Sequence, residues 1–437
     1  MVETVDLTSA LRSVQWQKSL KTPEGGCEIM LHPATHGSTR EVKGSWLVAI
    51  QPFDVVRVYE YGTLKWQGYV HRRNFSGLIQ PDGKPSRSLT LSCLSFGSLF
   101  SRTQLGLALG DLDGAATQFI SMAQRLRQRV GEAVGDGASY RDLILLLIDA
   151  WFELIRQVGA ADFETYVRRY VNADAGLYSS ASSVVPKTFE LYSGSEMEIS
   201  LWDVGQQLID SPFFELWFDE GPRAVDIAGS ITQFGRESTY LVFRPTPFDG
   251  AVENGIARRR FSALQSVQIP LSRLVRYDLG SSLDEVYTAY TVTPAAFDFG
   301  ELARTFTGEI LVDREKLGRY LLRNLPYAMN YVQAGNGNDS RTIKQYRTDA
   351  VETLFNWFQR NDAYLAGNIS ALVPTKSQDD PRIGQRVELE GVEGSMYVEG
   401  VSHTWSYSST LMSSLSVTRG YVYGKDVPMT TLGGLFD

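Results

Sequence analysis

Histidine side chains are best suited to metal binding and to general-base chemistry near neutral pH, and this chain has four of them: His32, His36, His71 and His403. His32 and His36 have the spacing of a helical metal-binding pair, but a proline and a glycine nearby oppose a helix and no H-E-x-x-H motif surrounds them. We therefore predict a polar loop there. His71 and His403 each fall in an alternating strand pattern, which predicts hydrogen-bonded histidines in a β-barrel wall. No G-x-S-x-G motif accompanies them to support a serine triad.

Only two cysteines, Cys27 and Cys93, occur in the 437 residues. So few cysteines argue against a disulfide scaffold and against a multi-cysteine zinc or iron–sulfur site. Leu89, Leu91 and Cys93 alternate with polar residues, which predicts that Cys93 fills a core position of a half-buried strand. Redox chemistry is not expected.

Three glycine-containing segments resemble ligand-binding loops without completing them. Asp111 to Gly114 begins like a calcium loop but lacks the later acidic ligands, so we predict the start of a helix. Gly420 to Lys425 is one residue short of a phosphate-binding loop and is predicted to be a turn. Gly335 and Gly337 lack the third glycine of a dinucleotide fingerprint.

The remaining charged groups do not single out a site. The triplet Arg258 to Arg260 is predicted to be a solvated face, although contact with an acidic partner surface stays open. The 50 acidic residues allow many carboxylate pairs that could cleave a glycoside, but no pair stands out. The sequence therefore predicts no catalytic residues, no cofactor-binding residues, no metal ligands and no enzymatic activity.

Composition narrows the function classes further. With 43% hydrophobic side chains, the chain is long enough for about two to four domains. It contains no run of about 18 apolar residues and begins Met-Val-Glu-Thr without a secretory leader, so we expect a soluble, unexported protein without stable membrane insertion. A net charge of −8 disfavours specific nucleic-acid binding, which relies on dense lysine and arginine.

The first half of the chain is predicted to change from strands to helices. Residues 56–70 alternate on both sides of a Gly-Thr pair, which predicts a β-hairpin. Apolar residues then recur at helical spacing over 111–130 and 139–158, with a glycine-rich loop at 131–137 between them. Residues 172–186 have the composition of a linker or a surface excursion.

A short helix and two strands are predicted for the middle of the chain. Ser200 and Asp203 open a helix over Leu201 to Asp210, which the following Ser-Pro pair ends. Phe213 to Phe218 and Tyr240 to Arg244 are rich in aromatic and β-branched residues. We expect these two strands to form a hairpin.

The second half mixes strands and helices before it ends in strands. We predict a strand at Leu274 to Tyr277 and helices at Asp313 to Asn324 and Arg341 to Gln359. Strand patterns then fill Leu372 to Tyr423. The apolar, inward-facing positions change from even to odd residue numbers across Gly400. Such a change predicts a β-bulge with glycine at the bulged position.

Together these elements predict an α+β fold that is predominantly β. We expect an N-terminal β-barrel domain (1–105), a helical insertion (106–190), a helix with strands that complete or flank the first barrel (191–265), a second β-barrel domain (266–300 and 370–425), a helical segment (301–369) and a C-terminal tail (426–437).

The order of several segments resembles the baseplate hub proteins of contractile-tailed bacteriophages and related injection particles. The segments are Val14 to Gln17 with Val55 to Val70, Ser200 to Asp203, Glu215 to Asp219 with Tyr240 to Asp249, and Arg382 to Arg419 with the preceding Pro381. The last block, which includes Pro381-Arg382-Ile383-Gly384 and Tyr397 to His403, is most similar to the C-terminal barrel of that family. These motifs are strands, turns and structural prolines, and none of them is a catalytic signature.

The resemblance implies a structural virion protein that forms a ring-shaped homotrimer. Each subunit would offer two similar β-barrels, so that three chains present a pseudo-sixfold face to the tail tube protein above and a threefold face to the central spike protein below. Tape measure protein and wedge components are further expected partners. The hub would lie in the tail baseplate, would be assembled in the bacterial host cytoplasm, and would form part of the DNA ejection channel during genome ejection. A wall poor in exposed lysine and arginine would let DNA pass without being retained.

Two alternatives stay open at this point. One is a particle-associated cell-wall or polysaccharide hydrolase in which a carboxylate pair does the acid–base work. The other is a host-surface binding module that displays the helical insertion outward.

Overall fold

The computed structural model describes residues 6–32, 50–79, 85–103, 128–133, 138, 140–157, 161–172, 200–209, 214–227, 230–245, 252–253, 256–257, 264, 266–294, 310–329, 348, 351–352, 354–355, 358, 361–362, 365–376, 379–392 and 394–421. The strands are β1 (Leu11–Ser19), β2 (Gly26–Leu31), β3 (Val55–Glu60), β4 (Thr63–Ile79), β5 (Pro85–Ser95), β6 (Val171–Asn172), β7 (Phe214–Glu220), β8 (Arg223–Ile227), β9 (Ser230–Phe234), β10 (Thr239–Pro245), β11 (Val252–Glu253), β12 (Ile256–Ala257), β13 (Ser266–Ile269), β14 (Leu274–Gly280), β15 (Ala289–Pro294), β16 (Ile310–Val312), β17 (Asn324–Met329), β18 (Leu365–Leu372), β19 (Arg386–Leu389), β20 (Ser395–Ser406) and β21 (Met412–Tyr421). The helices are α1 (Gly97–Arg102), α2 (Tyr140–Gln157), α3 (Ala161–Tyr170), α4 (Leu201–Ile209) and α5 (Arg314–Tyr320). The prediction of a mostly β protein is confirmed.

Eleven of these strands form one sheet that contains both ends of the described chain. Its main path runs β14-β18-β21-β20-β1-β2-β5-β4-β3, and every neighbouring pair on this path is antiparallel. Two further strands extend it, since β19 pairs with β20 and β13 pairs with β19. The N-terminal and C-terminal strands, which the sequence assigned to two separate barrels, are therefore joined edge to edge through β1 and β20.

The sheet curls, but strand pairing does not close it into a barrel within the described residues. Four strands separate β3 from β20 in the sheet order. The side chains of Glu60 on β3 and His403 on β20 nevertheless approach to 2.8 Å. Such a contact requires the intervening strands to turn the sheet back on itself. Within the described residues the sheet is thus curled and open, and the two β-barrel domains expected from the sequence stay a prediction.

A β-bulge lies where the sequence predicted it, although the extra residue is Glu399 rather than Gly400, and it marks the point where β20 changes partners. Val398 pairs with Val417 and Gly400 with Ser416, so β20 has one extra residue there. Before the bulge, residues 395–397 pair with β19. From Gly400 onward, β20 pairs with β1.

The predicted N-terminal hairpin is also confirmed, with its turn one residue earlier than expected. Glu60 pairs with Thr63, so the two-residue turn is Tyr61-Gly62 rather than Gly62-Thr63. Both turn residues have positive φ, +48° and +78°. Two positive φ values are the requirement of a type I′ turn, which matches the twist of the flanking strands.

The middle of the chain forms a second sheet under the helices. β7 and β10 pair as antiparallel strands as predicted, but another hairpin, β8–β9, lies between them in sequence. α4 begins as predicted, because the Ser200 hydroxyl accepts from the Asp203 amide at 3.1 Å and the Asp203 carboxylate accepts from the Ser200 amide at 3.0 Å. One apolar core runs through both sheets and α2, and its largest fully buried side chains include Trp66, Trp151 and Trp217.

A third, three-stranded sheet corrects two predictions. The helix expected over Asp313 to Asn324 is α5, which Asp313 caps by accepting from the Lys316 amide at 3.0 Å and which ends at Tyr320. It ends there because Leu321 has a φ of +61° and the chain then enters β17, parallel to β15. The range 301–369, expected to be helical, therefore also contains β16 and β17.

The other helices agree in part. α2 confirms the helix predicted over 139–158. Residues 128–133 are helical, so the predicted loop at 131–137 begins too early. Val351, Leu354 and Phe355 are helical and buried, in agreement with the helix predicted over Arg341 to Gln359. No helix among the described residues has the length and apolar character needed to cross a membrane.

Candidate functional site

The curled sheet and the middle sheet meet around a network of charged side chains that are buried or half-buried. Its members come from β1, β3, β4, β7, β8, β20 and the segment before β19: Lys18, Glu60, Lys65, Asp219, Glu220, Arg223, Asp380, Arg382 and His403. Buried charges are costly unless they are paired. The network is therefore the candidate site for chemistry or ion binding in the described part of the chain.

His403 is held by a carboxylate from β3, the strand at one end of the sheet path. Its Nδ1 lies 2.8 and 3.0 Å from the two carboxylate oxygens of Glu60. The indole Nε1–H of Trp16 donates to Glu60 Oε1 at 2.7 Å, and its ring lies 4.3 Å from the imidazole between centroids. Trp16 and His403 face each other in the β1–β20 register. Both partners of Glu60 are thus fixed by strand pairing.

The other imidazole nitrogen faces a second carboxylate. His403 Nε2 and Asp380 Oδ1 are 3.7 Å apart, and neither atom makes a hydrogen bond. The second oxygen of Asp380 is in close contact with the ammonium of Lys65. The imidazole therefore lies between two buried carboxylates but is bonded to only one of them.

Lys18 links this cluster to the middle sheet. Its ammonium contacts Glu220, lies 3.5 Å from Asp219 and donates to the carbonyl of Lys65 at 2.8 Å. Arg223 contacts Asp219 from the other side. Burial lowers the pKa of Lys18 well below its ordinary value, and the nearby arginines add to that effect. Burial likewise lowers the pKa of Arg223.

The two flanking cations of Asp380 respond to burial in the same direction. Burial lowers the pKa of Lys65, an effect that the charge of Asp380 partly opposes. Burial also lowers the pKa of Arg382, again against the influence of Asp380. The sheet interior thus disfavours charge even on paired groups, so removing one partner should be costly.

A second polar cluster joins β7 and β10 to β20. Arg244 donates from Nε to Glu215 at 2.9 Å and from Nη2 to the Tyr397 hydroxyl and the Gly384 carbonyl, each at 2.9 Å. Burial alone would lower the pKa of Arg244, but Tyr397 and Glu215 raise it above its ordinary value. Burial raises the pKa of Tyr397 well above its usual range. The guanidinium therefore stays charged and holds the two sheets together.

The space beside the network decides what chemistry it can support. One ligand atom from each of Glu60, Asp380 and His403 lies within 4.8 Å of the others. Carboxylates at about 5 Å suit retaining glycosidases. However, both carboxylates are buried, and the cavity next to Asp380 measures about 20 Å³. That volume holds about one water molecule, so a sugar ring does not fit between these carboxylates.

The predictions for individual side chains have mixed outcomes. His403 is buried in a strand as predicted, but only one of its two ring nitrogens, Nδ1, makes a hydrogen bond. His71 is exposed on β4, and His32 follows β2, where its Nε2 accepts from Arg12 at 3.0 Å. Cys27 and Cys93 are free, buried and paired in register on β2 and β5. The other motifs fall wholly or mainly outside the described residues: His36, Asp111 to Gly114, Arg258 to Arg260, Gly335, Gly337, and the part of Gly420 to Lys425 beyond Tyr421.

Sequence reasoning did not find Glu60, Asp380 or Lys65. Each lies in a strand pattern or a loop with no local motif, and their neighbours in space come from distant parts of the chain. The one available signal was the Pro381-Arg382-Ile383-Gly384 segment, which adjoins Asp380 and contains the carbonyl that Arg244 binds.

A solved tail protein shares the overall fold of this chain. A tail protein from Neisseria meningitidis MC58 aligns with 94% of this chain and 92% of its own, with a TM-score of 0.50 and 11% sequence identity. The 43 kDa tail protein of prophage MuSo2 from Shewanella oneidensis aligns over 94% of both chains, with a TM-score of 0.48 and 10% identity. An E. coli component of the type VI secretion system aligns with 95% of this chain and 74% of its own, with a TM-score of 0.42 and 9% identity.

Sequence comparison adds nothing to this structural likeness. No protein-family model matches the chain, and no curated protein matches it. The Neisseria protein therefore establishes a shared overall fold, and function has to be argued from that fold and from the geometry above.

Proposed function

We propose that this chain is a structural protein of a phage or phage-derived tail, acting as the baseplate hub between the tail tube and the central spike. The observation that carries the proposal is the structural likeness to the Neisseria tail protein, which extends over 94% of the present chain. The order of strand and turn motifs in the sequence supports the same assignment.

In this proposal the protein acts through its shape. Two groups of strands serve as barrel-like modules. The first is β1 to β5, and the second is β13, β14 and β18 to β21. The modules share β20, which pairs with β1. Three copies form a ring through head-to-tail contacts that close on themselves. A permanent ring of this kind needs interfaces of roughly 2,000 Å² or more. The tail tube protein binds one face, the spike binds the other, and tape measure protein and wedge components lie nearby.

An enzymatic role has less support. The carboxylates of Glu60 and Asp380 are buried, and the cavity beside Asp380 is about 20 Å³, so a polysaccharide does not fit between them. The network is instead suited to holding three parts of the chain together. DNA would pass through the ring without being retained, in line with the net charge of −8.

Mass measurement of the purified chain tests the ring directly. We expect a particle with three times the subunit mass of 48.7 kDa and a ring shape in negative-stain images. A subunit that stays monomeric at every concentration would contradict the ring. Particles assembled without the protein should contain tubes and spikes that are not joined, and normal particles would contradict the hub role.

A further inference from the structure

Carboxylate oxygens face both ring nitrogens of His403 in a buried site. With the proton on Nδ1, the imidazole donates to Glu60, and its Nε2 lone pair then faces the Oδ1 lone pairs of Asp380. With the proton on Nε2, the Nδ1 lone pair faces both oxygens of Glu60 at 2.8 and 3.0 Å instead. Either tautomer leaves two acceptors facing each other in a buried site, so a water, a proton or a metal ion is needed between one of the pairs.

The separation of His403 Nε2 and Asp380 Oδ1 distinguishes a shared proton from a metal ion. An N–H···O hydrogen bond spans about 2.7–3.2 Å, whereas Nε2 and Oδ1 are 3.7 Å apart. Two ligands at about 2.1 Å from a tetrahedral ion lie about 3.4 Å apart. The observed separation is therefore closer to that of two metal ligands than to that of a hydrogen bond.

The groups behind these two atoms have the arrangement of a metal site. Histidine ligands usually donate their second ring N–H to a carboxylate, and carboxylate ligands are themselves hydrogen-bonded. Here Glu60 contacts Nδ1 of His403 and accepts a hydrogen bond from the Trp16 indole. Lys65 contacts the other oxygen of Asp380. Both candidate ligand atoms are fully buried, make no hydrogen bond and lie 3.7 Å apart.

We propose that His403 Nε2 and Asp380 Oδ1 bind a divalent transition-metal ion such as Zn²⁺. Glu60 orients the imidazole, and the cavity of about 20 Å³ beside Asp380 has room for a water ligand. An imidazole with a carboxylate suits Zn²⁺ rather than Mg²⁺, which prefers oxygen ligands alone. Four cationic side chains already balance the four carboxylates of the network, so we expect micromolar rather than nanomolar affinity. The ion would tie the N-terminal strands to the C-terminal strands, and this inference does not depend on the tail role.

Zn²⁺ titration of the full-length protein tests the site. We expect one ion per chain and a rise in Tm with Zn²⁺ but not with Mg²⁺, since a ligand that binds the folded state stabilises it. His403→Gln and Asp380→Asn should each abolish both effects. The matched control is the double variant His32→Gln, His71→Gln, which removes surface histidines and should leave the titration unchanged.

Each other result overturns the proposal. Failure of the wild-type protein to bind Zn²⁺ would mean that the site holds only a proton or a water. Loss of binding in the surface control would indicate an adventitious site. X-ray absorption of the zinc-loaded wild-type protein needs no variant to fold: one imidazole with oxygen ligands supports the site, and sulfur ligands or no imidazole contradict it.

Discussion

Gly384 and Arg244 are in contact across the boundary between the large sheet and the middle sheet. The Gly384 carbonyl accepts from Arg244 Nη2 at 2.9 Å, and a Cβ at Gly384 would lie 2.7 Å from the same nitrogen. Gly384 also has a φ of +78°. The absence of a side chain here therefore allows both the backbone turn and the close approach of the guanidinium.

Replacing Gly384 with alanine is expected to destabilise the protein by about 2–3 kcal/mol, combining the cost of positive φ with a weakened Arg244 bond. Gly391 offers a matched control, since its φ is +79° but its nearest neighbour atom would be 3.9 Å from an added Cβ. Gly391→Ala should cost only about 1 kcal/mol. Urea unfolding of both variants measures the difference, and equal costs would contradict a role for the Arg244 contact.

Local signals explain which parts of the fold the sequence predicts well. The N-terminal hairpin depends on a turn with positive φ at Gly62, and the bulge depends on a change of parity at Gly400, so both can be read from a few consecutive residues. The Ser200–Asp203 helix start is local in the same way. These features were predicted to within a residue or two.

Long-range pairing explains what the sequence does not predict. The helix at Asp313 was extended too far because its end depends on β17 pairing with β15, about thirty-five residues earlier. The His403 site was missed because its partner Glu60 is 343 residues away. Whether strands form a barrel depends on how far the sheet curls, and alternation along one strand contains no information about that.

The two cysteines should be unreactive in the folded protein. Burial raises the pKa of Cys93 to about 12 and that of Cys27 well above its ordinary value. Since the thiolate is the reactive form, iodoacetamide should modify neither thiol at neutral pH until the protein is unfolded in guanidinium. A Ser414→Cys variant, with a thiol at an exposed position of β21, is the positive control and should react quickly. Rapid native-state labelling of either natural cysteine would contradict their burial.

The junction of α2 and α3 should lose stability in acid. Glu164 accepts hydrogen bonds from Arg156 and Arg168, which lower its pKa to about 2. Because this pKa is depressed below the unfolded value of about 4.3, the contribution of Glu164 is fully present above that value and is lost as the pH falls toward 2. Glu164→Gln should therefore reduce Tm at neutral pH and have little effect near pH 2. An equal loss at both pH values would indicate that the charge is not involved.

The outer edge of β14 should be a contact between subunits if the proposed ring is correct. Within the described residues β14 pairs only with β18, and Val275 and Tyr277 are 54% and 50% exposed. An unpaired edge with exposed apolar side chains favours pairing with another chain. The double substitution Val275→Glu, Tyr277→Glu should therefore convert the ring to monomers in light-scattering measurements. It should change the stability of the subunit by no more than about 0.5 kcal/mol, as is usual for surface positions.

Tyr407→Glu, at a side chain that is 75% exposed in the turn after β20, is the control and should leave the ring intact. A ring that survives the double substitution would exclude this edge as the interface, and dissociation by the control as well would show only that added negative charge disrupts the assembly.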